Sequence, residues 1–341
     1  MPTNLSPAYK KAEQEFRSAR DERERLACLK EMLSTIPKHK GTENLQADIK
    51  SRIKQMSEQL VGPKKGGNRS GPVHSVRKEG AAQIALLGPP NSGKSSLHAK
   101  LTGSRAEIGP YPFTTHEPMP GMLPFEDISF QLIDLPPLSA DYMESWLMEA
   151  LHPADAALLV LDIADPECTE HVEVILDRLK EIKVALLDQW LSSSHEPALE
   201  DKVEPDPFRI TLPTLLIANK YDLDPDPAVL QALKDLLNIE FPSLVTSTYS
   251  GEGLQKVGEM LFDGLNIVRV YTKAPGKPPQ KDRPFTLRRG SNVLDVARLV
   301  HKDLAGSLKY ARAWGKEVYD GQQVGPEHLL ADADVVELHM R

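Results

Sequence analysis

The chain has 341 residues, of which 40% are hydrophobic and 26% charged, and its formal net charge is -8. This composition is sufficient for a hydrophobic core and suggests two or three domains. Cys28 and Cys168 are too few for a disulfide framework and lie in no metal-binding spacing. No apolar run reaches the roughly 18 residues of a membrane helix, and the N-terminus lacks the pattern of a secretion signal. We therefore expect a cytoplasmic protein with no membrane partner.

The first part of the chain, residues 1–61, has helical patterns. Ser6 and Pro7 form a helix start, and the predicted first helix runs to Ile36, where a proline ends it. Thr42 can cap a second helix, and its apolar residues recur every three or four positions: Leu45, Ile49, Ile53, Met56 and Leu60. The pair predicts a helical hairpin. Residues 62–80 are rich in Gly, Pro, Lys and Arg, which predicts a flexible basic linker.

Short apolar runs alternate with helical stretches over residues 81–265. The predicted strands are 83–87, 128–133, 156–161, 213–218 and 244–247. This alternation is typical of an α/β fold with a doubly wound parallel sheet covered on both faces. Residues 184–210 offer little that could pack, so we expect a partly disordered insertion there. Residues 266–341 form a separate small β-rich domain, with a predicted helix from Val293 to Leu304 and a terminal strand.

The charges are segregated along these regions. Residues 1–80 carry 17 Lys and Arg against 10 Asp and Glu, residues 81–265 carry 11 against 30, and residues 266–341 carry 13 against 9. Basic ends can approach a polyanion such as RNA while an acidic middle stays away from it. Solvated surfaces would give the same pattern, so charge alone leaves RNA contact open.

A phosphate-binding pattern, G-x-x-x-x-G-K-[ST], lies between the first predicted strand of the sheet and the helix that follows it. In such a loop the backbone N–H groups surround the β-phosphate, Lys94 neutralises phosphate oxygens and Ser95 supplies a hydroxyl to Mg²⁺. The expected phosphate-binding residues are Gly88, Pro89, Pro90, Asn91, Ser92, Gly93, Lys94, Ser95 and Ser96.

Two further segments would complete a magnesium site. Asp134 ends an apolar strand, where a carboxylate can hold Mg²⁺ through water. Thr114 and Thr115 lie in the preceding loop, and either hydroxyl could join the Mg²⁺ shell beside a γ-phosphate. A turn aspartate and an ordinary loop are the alternative interpretations.

Base recognition is predicted at the ends of two later strands. Asn219 and Lys220 precede Asp222, whose carboxylate can accept hydrogen bonds from N1–H and the 2-amino group of guanine. Adenine lacks that pair of donors and would leave a carboxylate unpaired, which is costly. Ser247 and Thr248 follow the last strand and would bring a backbone N–H to the guanine O6. The sequence therefore predicts a site for GTP and GDP.

These motifs resemble those of the Obg-like P-loop GTPases, most closely the developmentally regulated GTP-binding protein branch. The resemblance spans nearly the whole chain and includes segments 37–43 and 111–115 and a C-terminal part similar to a TGS domain, with residues 270–273, 314–315 and 324–325. The TGS domain is a β-grasp module. The resemblance implies GTP hydrolysis and association with the ribosome or RNA through the basic N-terminal region and the TGS domain, with room for a regulatory protein partner.

The resemblance also assigns roles to individual residues. It makes Thr115 the Mg²⁺ ligand and Asn91 a ligand of an activating K⁺, so that Lys94, Thr115 and Asn91 are the implied catalytic residues. Leu138 stands where signalling GTPases carry a water-orienting glutamine. The chain departs from the family at Pro137, where the pattern has glycine, because proline has no N–H to offer a γ-phosphate. Three alternatives remain: a hydrolysis-poor guanine-nucleotide-binding scaffold or RNA-binding module, an ATP-using P-loop kinase, and a loop-shaping role for Asn91.

Overall fold

The computed structural model describes residues 6–18, 22–37, 42–61, 74, 76–104, 117–190, 208–223 and 226–340. It divides into two compact units. The first comprises Met1–Val73 with Leu199–Arg209, and the second comprises His74–Ala198 with Ile210–Arg341. The predicted linker lies largely outside the described residues, as do most of the predicted insertion and the threonine loop.

The first unit is helical, with α1 (Pro7–Ser18), α2 (Glu22–Thr35) and α3 (Glu43–Val61). The single first helix predicted from Ser6 to Ile36 is wrong, because α1 and α2 are separate helices that pack against each other. Residues 17–25 contain one apolar residue, Ala19, and separate an apolar stripe before residue 17 from another after residue 25. In one continuous helix these two stripes could not pack against each other, whereas in two helices they can. The folded-back pair buries Tyr9, Ala12, Phe16, Leu29, Met32 and Ile36.

The second unit begins with a mixed α/β sheet. Its strands are β1 (Gln83–Leu87), β2 (Met119–Phe125), β3 (Ile128–Asp134), β4 (Ala156–Asp162), β5 (Val184–Leu187), β6 (Ile210–Asn219) and β7 (Ser243–Val245). They follow the order β2-β3-β1-β4-β6-β5, and β7 also pairs with β6. The helices are α4 (Lys94–Thr102), α5 (Leu147–Leu151), α6 (Cys168–Glu181), α7 (Pro227–Leu237) and α8 (Lys256–Gly264).

The predicted fold class is confirmed, and the described residues show why the central strands are continuously apolar. Along β1, Ala85 and Leu87 belong to one hydrophobic cluster, whereas Ile84 and Leu86 belong to another. Successive side chains of a strand point to opposite faces, so each face of the sheet has its own core. The sheet is not wholly parallel as predicted, because β2 pairs antiparallel with β3 at one edge.

The predicted start of the insertion at residue 184 is also wrong, because the first residues of this segment belong to the sheet. Val184 to Leu187 form β5, which runs parallel to β6 from Ile210 to Pro213. Residues 184–187 and 210 are therefore part of the sheet. A short edge strand can form by main-chain pairing while it buries one side chain, here that of Val184. Residues 191–207 lie outside the described residues.

The C-terminal part of the second unit has a sheet of its own, in the order β11-β10-β12-β8-β9. Its elements are β8 (Ile267–Thr272), β9 (Gln280–Arg288), α9 (Val293–Val300), α10 (Lys302–Ser307), β10 (Leu308–Trp314), β11 (Gln322–Val324) and β12 (Asp334–Met340). A reciprocal capping box between Asn292 and Asp295 starts α9. The predicted helix to Leu304 is interrupted, because the backbone of His301 is extended and separates α9 from α10.

An arginine joins this C-terminal sheet to the turn between β2 and β3. The guanidinium of Arg269 donates to Asp127 at 3.0 Å, to Asp332 at 2.8 and 3.1 Å, and to Glu126. The hydroxyl of Tyr271 also donates to Asp127. Only 14% of the Arg269 side chain is exposed, so its guanidinium is largely shielded from water, whereas the side chain of Glu126 is 58% exposed. We call these five residues the Arg269 cluster.

No helix among the described residues is both long enough and apolar enough to cross a membrane.

Candidate nucleotide-binding site

The loop between β1 and α4 has a backbone that requires glycine at two positions. Gly88 and Gly93 have φ angles of 155° and 89°. A Cβ atom on Gly88 would overlap the carbonyl oxygen of Val160, and one on Gly93 would overlap the side-chain amide of Asn219. Asn91 has a φ of 61°, which asparagine tolerates better than most residues, and is exposed. The two positions of the predicted phosphate pattern therefore require glycine for steric reasons.

Lys94 is buried at the start of α4, with its ammonium turned back onto the loop. Its Nζ donates to the carbonyl oxygens of Gly88 at 3.1 Å and Pro89 at 3.0 Å. Burial lowers the pKa of Lys94 to about 8, while the negative charge of Asp134 opposes that shift. The hydroxyl of Ser92 also donates to Pro89, at 3.0 Å. A cation and the N-terminus of a nine-residue helix thus lie together, which favours an anion.

The predicted magnesium ligands Ser95 and Asp134 are in direct contact. The Ser95 hydroxyl donates to Asp134 Oδ2 at 2.6 Å, and Asp134 is buried at the end of β3. One hydroxyl and one carboxylate are the kind of oxygen ligands that Mg²⁺ takes from protein when phosphates and water supply the rest. The described residues contain no cluster of three or more His, Cys, Asp or Glu suited to a metal. Thr115, the predicted further ligand, lies outside them.

Asn219 connects the phosphate loop to the predicted base loop. Its fully buried side chain donates from Nδ2 to the carbonyl oxygen of Ser92 at 3.0 Å and accepts from the Thr246 hydroxyl at 3.3 Å. β6 ends at Asn219 and Thr246 directly follows β7, so neighbouring parallel strands bring these residues together. Asn219 therefore holds both loops in a fixed relation.

The remaining predicted base-binding residues lie together beyond the ends of β6 and β7. The hydroxyl of buried Ser247 donates to the carboxylate of Asp222, and Thr248 is half-buried beside it. Lys220 adopts a left-handed backbone with φ 60°, and its Nζ lies 2.6 Å from Asp162 Oδ2. Pro90 and Ser96 are half-buried in and just after the phosphate loop.

The segment after Asp134 is packed against the phosphate loop. The backbone N–H of Leu138 donates to the carbonyl oxygen of Gly88 at 3.1 Å. Pro136 and Pro137 are buried, and Leu138 is only 1% exposed within a hydrophobic cluster. The position at which signalling GTPases carry a glutamine thus presents an apolar side chain to the core.

Two residues of this region were not singled out from the sequence. Asp162 holds Lys220, and it ends β4 directly opposite Asn219 in the sheet. The sequence shows an acidic residue at the end of an apolar strand, but it does not show that Lys220 is its partner. His98 is buried in α4, where burial lowers its pKa and Asp134 opposes that shift. A helical histidine gives no such pattern.

The matches to known families agree with this geometry. Residues 83–189 match a family described as a 50S ribosome-binding GTPase, and residues 268–340 match the TGS domain. An uncharacterised GTP-binding protein of Methanocaldococcus jannaschii is 27% identical, over 92% of this chain and 91% of its own. Developmentally-regulated GTP-binding protein 2 of Bos taurus is 25% identical, over 92% of this chain and 98% of its own.

The chain is thus similar over nearly its whole length to developmentally regulated GTP-binding proteins. It is a GTP-binding protein with a P-loop GTPase domain and a TGS domain, so the resemblance found in the sequence is confirmed. A crystal structure of a GTP-binding protein from Pyrococcus horikoshii OT3 has a TM-score of 0.51 and 17% identity, covering 76% of this chain and all of that chain. That likeness concerns the fold alone.

Proposed function

We propose that the chain hydrolyses GTP slowly to GDP and phosphate, stimulated by K⁺, while associated with the ribosome or RNA. The observation that carries the proposal is the hydrogen-bonded connection of three predicted parts. Ser95 bonds to Asp134 and Asn219 bonds to the phosphate loop, while Asp222 is held by Ser247. Hydrogen bonds thus connect the residues that are predicted to bind the phosphates, the metal ion and the base.

The chain's own residues supply positioning and charge in this proposal. Lys94 and the α4 N-terminus would neutralise phosphate oxygens, and Ser95 with Asp134 would hold Mg²⁺, which stabilises the charge that develops on the phosphates. Leu138 is buried and apolar, so its side chain cannot orient an attacking water. Hydrolysis should therefore be slow unless an added cation or a partner assists it. The side-chain oxygen of exposed Asn91 is a suitable ligand for K⁺, which would supply positive charge beside the phosphates.

A second candidate is a guanine-nucleotide-binding scaffold with little hydrolysis. It is favoured by the segment after Asp134, where Pro137 has no N–H and the N–H of Leu138 is already bonded to Gly88. A segment held in this way would respond weakly to a γ-phosphate. The two candidates differ in turnover and in discrimination between GTP and GDP.

Single-turnover hydrolysis of GTP by the full chain, in K⁺ and in Na⁺, separates the two candidates. We expect hydrolysis in K⁺ to be faster by at least about tenfold, since stabilising charge on the transferred phosphoryl group has large effects. Asn91→Gly should remove this difference without straining the left-handed backbone. Asn238→Gly is the matched control, because Asn238 is also exposed with φ 49° but caps α7. No turnover in either salt, with equal affinity for GTP and GDP, would favour the scaffold.

The ribosome part of the proposal rests on the basic ends of the chain and on the family resemblance. Co-sedimentation with ribosomes should weaken steeply with salt, because each phosphate contact releases counterions. Replacing Lys64, Lys65 and Arg69 by Ala should weaken binding and reduce the salt dependence. A control triple variant at exposed lysines of the acidic region changes the charge equally: Lys100, Lys180 and Lys256. If ribosome binding survives high salt and the first triple substitution, the electrostatic account is wrong.

A further inference from the structure

An exposed aromatic side chain stands in the loop that follows β7. Tyr249 is 89% exposed, although tyrosine as a residue type is intermediate between buried and exposed. Single exposed apolar side chains are common on protein surfaces, so exposure alone assigns no role. The position of Tyr249 relative to the base ligands is what makes it informative.

The backbone of Tyr249 is fixed next to Asp222. Its N–H donates to the Ser247 hydroxyl oxygen at 3.2 Å, and the N–H of Ser250 donates to the same oxygen at 3.0 Å. That hydroxyl in turn donates to Asp222. The N–H of Gly251 closes the turn by donating to the carbonyl oxygen of Ser247 at 2.9 Å. A single hydroxyl therefore connects the Tyr249 backbone to the carboxylate predicted to bind guanine.

A purine base has an edge, which hydrogen bonds recognise, and two faces, which they do not. Asp222 and the backbone after Ser247 can satisfy only the edge. A face is covered best by a flat aromatic ring, since stacking on a base buries apolar area and gives favourable ring contact. Lys220 is held by Asp162, so its position is set independently of Tyr249. The exposed ring of Tyr249 lies beside the predicted base ligands and packs little against the protein, so it is suited to cover a face of the base.

We infer that Tyr249 covers one face of the guanine base and thereby contributes to nucleotide affinity. This inference rests on the proposed binding of guanine nucleotide by Asp222. The contact is a stacking contact, so it does not depend on the 2-amino group of the base. Tyr249 would therefore strengthen binding of any purine that Asp222 admits, whereas Asp222 would select among purines.

The test compares Tyr249→Ala with the unchanged chain by titration calorimetry with GDP, with IDP and with inorganic tripolyphosphate. We expect GDP and IDP to bind about tenfold more weakly, and by the same factor, because loss of one stacked ring costs on this order. Tripolyphosphate has no base and should bind unchanged. Tyr249→Phe keeps the ring and should retain the affinity for GDP.

Tyr319→Ala is the matched control, because Tyr319 is 85% exposed on the hairpin between β10 and β11 of the TGS domain. It should leave GDP affinity unchanged. GDP affinity of Tyr249→Ala within twofold of the unchanged chain would overturn the inference. So would an equal loss for tripolyphosphate, which would indicate a distorted loop rather than a lost stack. Failure of the unchanged chain to bind GDP would instead overturn the proposed function.

Discussion

In the proposed function, the choice of base depends on the side chain of Asp222. Replacing it by Asn keeps the shape but puts an N–H₂ group or a neutral oxygen opposite the two guanine donors. We expect GTP affinity to fall by about 2–3 kcal/mol, because hydrogen bonds to a charged acceptor are lost. Titration of Asp222→Asn with GTP, with ATP and with XTP measures the effect. XTP carries a carbonyl in place of the 2-amino group, so its affinity should rise relative to that of GTP.

An unchanged ratio of GTP to ATP affinity in Asp222→Asn would contradict the role given to this carboxylate. Inorganic tripolyphosphate supplies the control, since the phosphate loop is untouched by the substitution. Equal losses for GTP and for tripolyphosphate would indicate a disturbed fold, because Asp222 also accepts a hydrogen bond from Ser247.

Single residues of the site were predictable where a motif fixes both residue type and spacing. Lys94 and Asp222 are examples, since the chemistry allows few substitutes at those positions. Asp162 was missed because its partner Lys220 lies 58 residues away and is brought close only by the register of β4 and β6. The burial of Leu138 against Gly88 likewise depends on tertiary packing, which spacing along the chain does not reveal.

Among the elements, the phosphate loop tolerates little added volume at its glycines. Gly93→Ala should reduce GDP affinity by at least about tenfold, because a Cβ there meets the side chain of Asn219 and its φ of 89° disfavours other residues. Gly103→Ala is the control. Gly103 also has a positive φ, 69°, but nothing lies within 4 Å of its Cβ position at the end of α4.

Titration calorimetry with GDP and urea unfolding of both glycine variants separate local from global effects. Gly103→Ala should cost stability of about 1 kcal/mol through backbone strain and leave affinity unchanged. If both variants lose affinity equally, the contact between Gly93 and Asn219 is not what limits binding.

Strands were predictable from the sequence where both of their faces are buried. They were not predictable at the edges of the sheet, where a strand forms because it pairs with its neighbour. β1, β3, β4 and β6 are apolar runs because both their faces are covered. β2 was missed because its sequence, Met-Pro-Gly-Met-Leu-Pro-Phe, has two prolines and is mostly exposed, which only an edge strand tolerates. β5 was assigned to an insertion for a similar reason, since one of its four residues, Val184, is buried.

At the scale of the whole molecule, the Arg269 cluster should stabilise the contact between the TGS sheet and the β2–β3 turn. Arg269→Ala removes a shielded cation and leaves Asp127 and Asp332 without their charged partner. We expect a loss of about 1–3 kcal/mol in the free energy of unfolding, less than for a fully buried pair because Glu126 is 58% exposed. Urea unfolding measures it.

The control for Arg269→Ala is Arg298→Ala, whose ion pair with Asp295 is 60% exposed at the arginine and should contribute little. The dependence on pH gives a second readout. Burial raises the pKa of Asp332, but hydrogen bonds from Arg269 outweigh burial and hold the pKa below its ordinary value. This contribution is present above about pH 4 and is lost as the pH falls through the lowered pKa. Equal acid sensitivity of Arg269→Ala and the unchanged chain would contradict the assignment.

One strand joins the Arg269 cluster to the proposed metal ligands. β3 begins beside Asp127, which Arg269 holds, and ends at Asp134, which Ser95 holds, about 23 Å away for seven extended residues. Thermodynamic linkage is reciprocal for binding free energies. Suppose that a partner binds the TGS sheet more tightly when the chain holds GTP than when it holds GDP. That partner must then raise the preference of the proposed nucleotide site for GTP over GDP by the same factor, whichever ligand binds first.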